Sequence, residues 1–306
     1  MAMTLTEAAK LSNDMLLHGV VETIIKESPI LRRLPFIEIV GNGLTYNQEN
    51  ALPTIDFYDV GDDWNESTPT FTQRTANLKI MGGDADVDNF LKATRSNVQD
   101  LEAAIVELKA KALKDKFEET FIYGNATTSP KQFDGLRKLI DTGTAGDQVI
   151  AMGAAGATLT LDKLDELIDS VKGGKPDILL MSRRSRRKIN ALIRASGASI
   201  ITERDTFGNF IELWDGIPIA VSDYILDTHV VAASVETATT GGTCSTIYAF
   251  QMGEGALAGL TAPGHITVER IGSIESKDAS RTRIKWYVSL ALFSAIKAAA
   301  LIGVQD

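Results

Sequence analysis

The side chains able to do chemistry in this chain are few and poorly spaced for it. His18, His229 and His265 lie 211 and 36 positions apart (229 − 18 and 265 − 229), so no HxxxH-type pair exists for a metal. Cys244 is the only cysteine, which rules out an intrachain disulfide and a multi-cysteine metal cluster, and nothing marks a base beside it. No GxSxG elbow and no GxxxxGK[ST] phosphate loop occurs. GEGALAG, residues 253–259, superficially suggests a dinucleotide loop, but its third glycine comes one residue late and no βαβ unit follows. Asp62-Asp63 and Glu118-Glu119 could form acid–base pairs; solvated charge pairs are the expected reading. The sequence therefore predicts no catalytic residues, no cofactor and no metal. A structural protein, not an enzyme, is expected.

One charged stretch stands apart. SRRSRRKINALIRASG, residues 182–197, carries six basic side chains in a chain of formal net charge −9. Helical spacing puts Ile189, Leu192 and Ile193 on one face. Arg183, Arg184, Arg187, Lys188 and Arg194 fall on the opposite side, with Arg186 at the edge. Such a helix docks on a sheet, and its charges face water, acidic neighbours or another subunit. A nonspecific, salt-sensitive DNA contact is the sharper alternative. Without interleaved aromatics it offers no base stacking.

The elements that position these residues follow from patterning. With 306 residues, 44% hydrophobic and 23% charged, the chain can bury a large core. No apolar run is long enough to span a bilayer, and MAMTLTEAAK lacks the regions of a signal peptide, so an intracellular soluble product is expected. Residues 6–27 read as an amphipathic helix with Leu16, Val20 and Ile24 in its apolar stripe. Residues 41–84 begin and end in glycines and hold two strands, near 44–50 and 70–80, around a long polar excursion with an acidic tip. Phe57, Tyr58, Trp64 and Phe71 sit in this ribbon, which is marginal alone and is expected to pack on a neighbouring subunit. A long helix is predicted over 95–123, with Val98, Leu101, Ile105, Leu108 and Ala112 as its apolar stripe, roughly continued by Phe117 and Phe121, and Gly124-Asn125 at its end. Residues 136–255 alternate helices and strands, and the chain after His265 is β-rich.

Several stretches in order carry a resemblance. VVETIIKESPILRRLPFIEIVGNGLTY resembles the N-terminal arm and loop entry of tailed-bacteriophage major capsid proteins of the Hong Kong 97 fold. AAIVELKAKALKDKFEETFIYGNATTSPKQFDGLRKLI resembles that family's spine helix and its exit through Gly124 and Gly135-Leu136. PDILLMSRRSRRKINALIRASG with WDGIPIAVSDYI resembles the apical domain's strand, helix and Gly-x-Pro strand, here Gly216 and Pro218, and VSLALFSAIKAAALIGV fits the ending.

The resemblance implies an α+β Hong Kong 97-type capsid fold. Its parts would be an N-terminal arm (1–40), an extended β-hairpin loop (41–84), a peripheral domain with a long spine helix (85–135 and 256–293) and an apical α/β domain (136–255 and 294–306). It implies self-assembly into pentamers and hexamers of an icosahedral shell around the double-stranded DNA of a tailed phage. Assembly would occur in the host bacterial cytoplasm, with separate scaffold and portal partners, nonspecific DNA contact and no membrane. Leu16, Val20, Ile24, Phe57, Tyr58, Trp64 and Phe71 would touch neighbouring subunits. Lys79, the loop's only lysine, sits at its base, so no covalent crosslink is expected. Alternatives are an encapsulin-like nanocompartment shell, a nucleic-acid-binding protein using residues 182–195, and an α/β enzyme without a readable motif.

Overall fold

The computed structural model describes Ser28 and residues 30–51, 54–64, 66–68, 70–95, 101–142, 146–197, 201–204, 210–238 and 241–305. The expected helix with Leu16, Val20 and Ile24 lies outside these residues. The chain enters through a short strand, β1 (Phe36–Glu38), followed by β2 (Gly43–Ala51), β3 (Thr70–Asn77) and β4 (Lys79–Asp88). Two helices follow, α1 (Asn89–Arg95) and α2 (Leu101–Tyr123), then a short α3 (Leu136–Ile140). The predicted 95–123 helix is thus α2, about 35 Å long at ~1.5 Å per residue, and the chain before it forms the separate α1.

The buried stripe of α2 keeps Phe117 and Phe121 from the predicted one but not its middle. Leu113, Phe117, Phe121 and Ile122 are buried, whereas Ala112 is exposed and Ile105 and Leu108 are only half-buried. The apolar spacing of residues 98–112 continues by one register into a Leu-x3-Phe-x3-Phe ladder, and the aromatics decide which face turns inward because they hide the most area. Phe117 anchors that face, with ring centroids 4.9 Å from Trp286, 5.9 Å from Phe133 and 6.2 Å from Phe36. Glu118, expected to be solvated, is instead 5% exposed, and its Oε1 has no hydrogen-bond partner among the described residues. Its neighbour Glu119 is exposed and pairs with Lys116 at 2.7 Å.

Beyond α3 come β5 (Val149–Ala151), β6 (Ala157–Thr158), α4 (Leu161–Ser170), β7 (Ile178–Met181), α5 (Arg183–Ala195), β8 (Ile201–Arg204), β9 (Phe210–Trp214) and β10 (Ile217–Val221). Thr160 caps α4 by accepting from the Lys163 amide. Asp215 and Gly216, both at positive φ, make the two-residue turn between β9 and β10 that an Asp-Gly pair favours. The last strands are β11 (Val230–Ala232), β12 (Val235–Ala238), β13 (Ser245–Phe250), β14 (Leu257–Ser273), β15 (Ala279–Leu292) and β16 (Ala298–Gln305). The GEGALAG stretch runs into β14, a strand.

The strands form two main sheets. One has the order β1-β14-β15-β4, with β1 parallel to β14 and the other pairs antiparallel. The other is eight-stranded and mixed, ordered β5-β16-β13-β7-β10-β9-β8, with β6 also on β16. Its centre is covered on both faces. Ile178, Leu180, Tyr248, Phe250, Ala300 and Ile302 point into a core shared with α2, Trp286 and Val288. Leu179, Met181, Ile247, Ala249, Leu301 and Val304 point into a second core with α4 and α5. Two-sided burial is why ILLM and AAALIGV read as continuous apolar runs and not as alternating ones.

The exit from α2 is a close backbone contact. The Gly124 amide donates to Thr120 O at 2.7 Å and the Gly135 amide donates to Gly124 O at 2.8 Å. A Cβ on Gly135 would meet Thr120 O at 2.5 Å and Gly124 N at 2.7 Å, so no larger residue fits there. The glycines read from the sequence as an exit signal are required by this approach.

Candidate assembly interfaces

The hairpin β2–β3 pairs antiparallel from Gly43 opposite Asn77 out to Ala51 opposite Thr70. Its inner half is anchored on its own chain. Tyr46 packs 4.9 Å from Phe293, and Gln48 Nε2 donates to Leu292 O at 2.5 Å. Burial is the main reason the Tyr46 hydroxyl is held above the usual tyrosine range.

The tip, residues 54–68, is organised by its own polar groups. Asp62 Oδ2 accepts from the Asp59 amide at 2.8 Å, Asp59 Oδ1 accepts from the Val60 amide at 2.8 Å, and Ser67 Oγ donates to Thr54 O at 3.0 Å. Tyr58 and Trp64 stack with centroids 4.6 Å apart. This ordered loop nonetheless leaves Ile55, Phe57 and Val60 almost wholly in solvent and Trp64 81% exposed, with Phe71 behind them. Isolated exposed apolar side chains are ordinary; a contiguous rigid set is the signature of a contact surface. Phe57, Tyr58 and Trp64 share this tip, while Phe71 lies on the adjoining strand. Ile55 and Val60 were not singled out from sequence, because their neighbours Asp56 and Asp59 masked them in a stretch that reads as polar.

The basic helix α5 is capped by Ser182, whose Oγ accepts from the Ser185 amide and donates to Asp227 Oδ1 at 2.6 Å. Ile189 and Ile193 are buried and Leu192 is half-buried, as the wheel predicts. The first two arginines are engaged within the chain. Arg183 pairs bidentately with Asp223. Arg184 donates to Asp227 O, Thr243 O and Val304 O at 3.3, 2.8 and 3.3 Å. Arg186 lies 3.8 Å from Glu212, which also accepts from Asn190. Arg187 and Arg194 are exposed and Lys188 is half-buried. The five cations named from sequence therefore divide: Arg183 and Arg184 fasten the 223–227 loop, and Arg187 and Arg194 face outward.

A third polar cluster joins the end of α2 to the eight-stranded sheet. His229 is fully buried, with Nε2 2.8 Å from the Tyr123 hydroxyl and Nδ1 3.0 Å from Thr246 Oγ1 and 3.2 Å from Glu236 Oε2. Thr246 donates to Glu236 Oε2 at 2.8 Å, and Arg137 pairs with Glu236 Oε1. The Tyr123 oxygen also accepts from the Leu226 amide at 2.9 Å. With Thr246's proton committed to Glu236, Nδ1 bears a proton toward that pair, and the buried ring is held on both sides. Burial pushes the Glu236 carboxyl up, but the His229 hydrogen bond and charge, the Arg137 charge and Thr246 outweigh it, so it is held below the usual range. Sequence reading passed over this cluster. Its members are spread from 123 to 246 with no recognisable spacing. They build a structural brace: among the described residues no group of three or more His, Cys, Asp or Glu is placed to hold a metal.

The description "SU10 major capsid protein" matches residues 27–234, 208 of the 306 residues (234 − 27 + 1). The chain belongs to that family. No curated protein matches this capsid-family chain in sequence. Solved structures share its fold at low identity. The SrpI encapsulin of Synechococcus elongatus is 19% identical, with TM-score 0.68, over 90% of this chain and 87% of that one. The cyanophage A-1(L) capsid is 12% identical, TM-score 0.67, over 92% and 93%. A structure from Mycobacterium phage Bobi is 16% identical, TM-score 0.61, over 92% and 91%. Likeness across nine-tenths of both chains establishes the α+β Hong Kong 97-type architecture for this capsid-family protein.

Proposed function

We propose that this chain is the major capsid subunit of a tailed phage, assembling in the host cytoplasm into pentamers and hexamers of a shell around double-stranded DNA. One observation carries the reading within the capsid family: a hairpin tip with its own hydrogen bonds and a Tyr58–Trp64 stack presents Trp64, Phe57 and Val60 to solvent. Ile55, Tyr58 and Phe71 extend that surface. Residues 41–84 act as an intersubunit strap, 85–135 with 256–293 as the peripheral domain, and 136–255 with 294–306 as the apical domain. The eight-stranded sheet, built from strands within 149–250 and 298–305, supports the apical unit, whereas β1 and β4 join β14 and β15 in the other sheet and tie the arm and the base of the loop to the peripheral domain. The N-terminal arm, 1–40, is assigned a second strap through Leu16, Val20 and Ile24. Its work is structural, and scaffold and portal are separate chains.

Arg187 and Arg194 lie on the exposed side of α5, the side a neighbouring subunit or packaged DNA meets, and Arg183 and Arg184 are engaged within the chain. That occupancy argues against a nucleic-acid-binding protein built on residues 182–195. The likeness to an encapsulin favours a second reading, a nanocompartment enclosing protein cargo. The test replaces residues 54–68 by an Asn-Gly turn. Light scattering and negative-stain microscopy should find folded subunits that form no closed shells. Normal shells from this variant would refute the reading. In wild-type particles, nucleic acid content separates phage head from nanocompartment.

A further inference from the structure

We propose that the turn formed by Ser28 and residues 30–34 is a proton-operated clasp on α2: a protonated Glu118 holds it shut, and an ionised Glu118 lets it open. The inference concerns the single subunit, so it stands or falls apart from the shell reading.

The clasp is small and fastened at both ends. The Arg33 and Leu34 amides donate to Ile30 O at 3.1 and 2.9 Å, and the Leu31 amide donates to Ser28 Oγ at 3.2 Å. Ile30 and Leu34 are buried in the core that also holds Phe117 and Phe121 of α2. At the first residue of the turn the buried Ser28 hydroxyl hydrogen-bonds to Glu118. Apolar packing thus secures one end, and a bond to a titratable group secures the other.

The surroundings of Glu118 suit a neutral carboxyl and not a carboxylate. The side chain is buried, and Oε1 has no partner among the described residues. A neutral acid leaves its carbonyl oxygen bare at small cost, whereas a carboxylate would leave an ionised oxygen bare in the interior. The neighbouring charges agree. Lys114 and Asp115 of α2 and Asp223 of the 223–227 loop act on Glu118. Asp223 is paired with Arg183 of α5, and Asp115 accepts from the Tyr224 hydroxyl. The turn itself brings the Ser28 hydroxyl, with Arg32 and Arg33 farther along it. Lys114 and Arg183 balance Asp115 and Asp223, so an ionised Glu118 would be a third carboxylate against two cations. Burial, the largest influence, accordingly holds its carboxyl above the usual range.

The sign follows from linkage. A group whose closed-state pKa is raised favours closure below its ordinary value, ~4.3, and that favour is lost as pH rises through the closed-state value. Hydrating the new charge is cheapest by freeing the turn, because α2 is pinned by the contacts of Phe117 with Phe133 and Trp286. Opening exposes Ile30 and Leu34, so the open form stays a minority, which amide hydrogen exchange detects.

The experiment measures exchange of the Leu31, Arg33 and Leu34 amides in the full-length unassembled subunit between pH 4 and pH 8, corrected for intrinsic rates. Each value is taken as the ratio of wild type to Glu118→Gln. The ratio of opening should be near one at pH 4, rise by up to about tenfold per pH unit as Glu118 ionises, then level off. The Phe121 and Ile122 amides in α2 should show no such rise. Lys114→Gln should move the levelling point to higher pH and Asp115→Asn to lower pH, shifts that a merely structural glutamate would not produce. A ratio that stays flat with pH overturns the clasp, as does a rise shared equally by Phe121 and Ile122, or a levelling point that neither charge variant moves. A chain that forms no shells would overturn the shell reading and leave these exchange ratios unaltered.

Discussion

Replacing Glu236 by glutamine tests whether the buried cluster at the end of α2 braces the subunit. The carboxylate is fully enclosed and accepts from Arg137, His229 and Thr246. An amide offers one acceptor oxygen, so its NH₂ must face a donor on at least one side. Breaking a buried ion pair by removing one partner costs ~3–5 kcal/mol. The Arg137 side chain is 26% exposed and regains some hydration, which places the cost near the lower end, about 3 kcal/mol. At ~2 °C per kcal/mol for a chain of this size, the melting temperature of the unassembled subunit should fall by about 6 °C. The pH dependence gives an independent check. The folded state holds the Glu236 carboxyl below its usual range. Its contribution is therefore present above the unfolded carboxylate pKa, ~4.3, and is lost as pH falls through the lower folded value. The destabilisation should be full at pH 7 and shrink toward pH 3 to 4. Thermal melts of wild type and Glu236→Gln by circular dichroism across that range measure both. Equal melting temperatures at pH 7, or a difference that grows on acidification, would refute the brace.

Glu118 should behave with the opposite sign. Burial, only partly offset by the Ser28 hydrogen bond and Lys114, holds its carboxyl above the usual range, so its favourable contribution is present at low pH and lost as pH rises through the folded value. Glu118→Gln should therefore be more stable than wild type at pH 8, by about 1 kcal/mol, and the gain should vanish near pH 4 in the same melts. Gly135→Ala forces a methyl against three backbone atoms within 2.9 Å and should cost ~1–3 kcal/mol in a denaturant titration. An alanine variant as stable as wild type would mean that the α2 exit relaxes freely.

Much of the architecture was legible because it rests on local patterns. The two hairpin strands were legible from glycine-bounded alternation near 44–50 and 70–80, although the second breaks at Leu78 into β3 and β4. The α5 wheel was readable because Ile189 and Ile193 recur at four-residue spacing against arginines. The inward face of α2 was legible at its end, where Phe117 and Phe121 are buried as expected, but not in its middle, where Ala112 is exposed. Only its tertiary partners Phe36, Phe133 and Trp286 select the Phe117 face over the Ala112 face, and they lie up to 169 positions away (286 − 117). Glu118 read as solvated for the same reason, since what buries it is packed from elsewhere in the chain. The Tyr123–His229–Glu236–Arg137 cluster was invisible because contacts fixed by the fold leave no periodic trace.

The topology also sets a clock. The hairpin pairs residues no more than 34 positions apart (77 − 43), and such a unit forms in ~1–10 μs. The four-stranded sheet needs β15 to find β4 about 200 positions earlier and β14 to find β1 more than 220 earlier, and such non-local pairings form slowly. During synthesis Tyr46 and Gln48 are thus exposed long before Phe293 and Leu292, on which the inner half of the hairpin is anchored, have been made, so the hairpin is fixed in place only when the last strands of each sheet arrive.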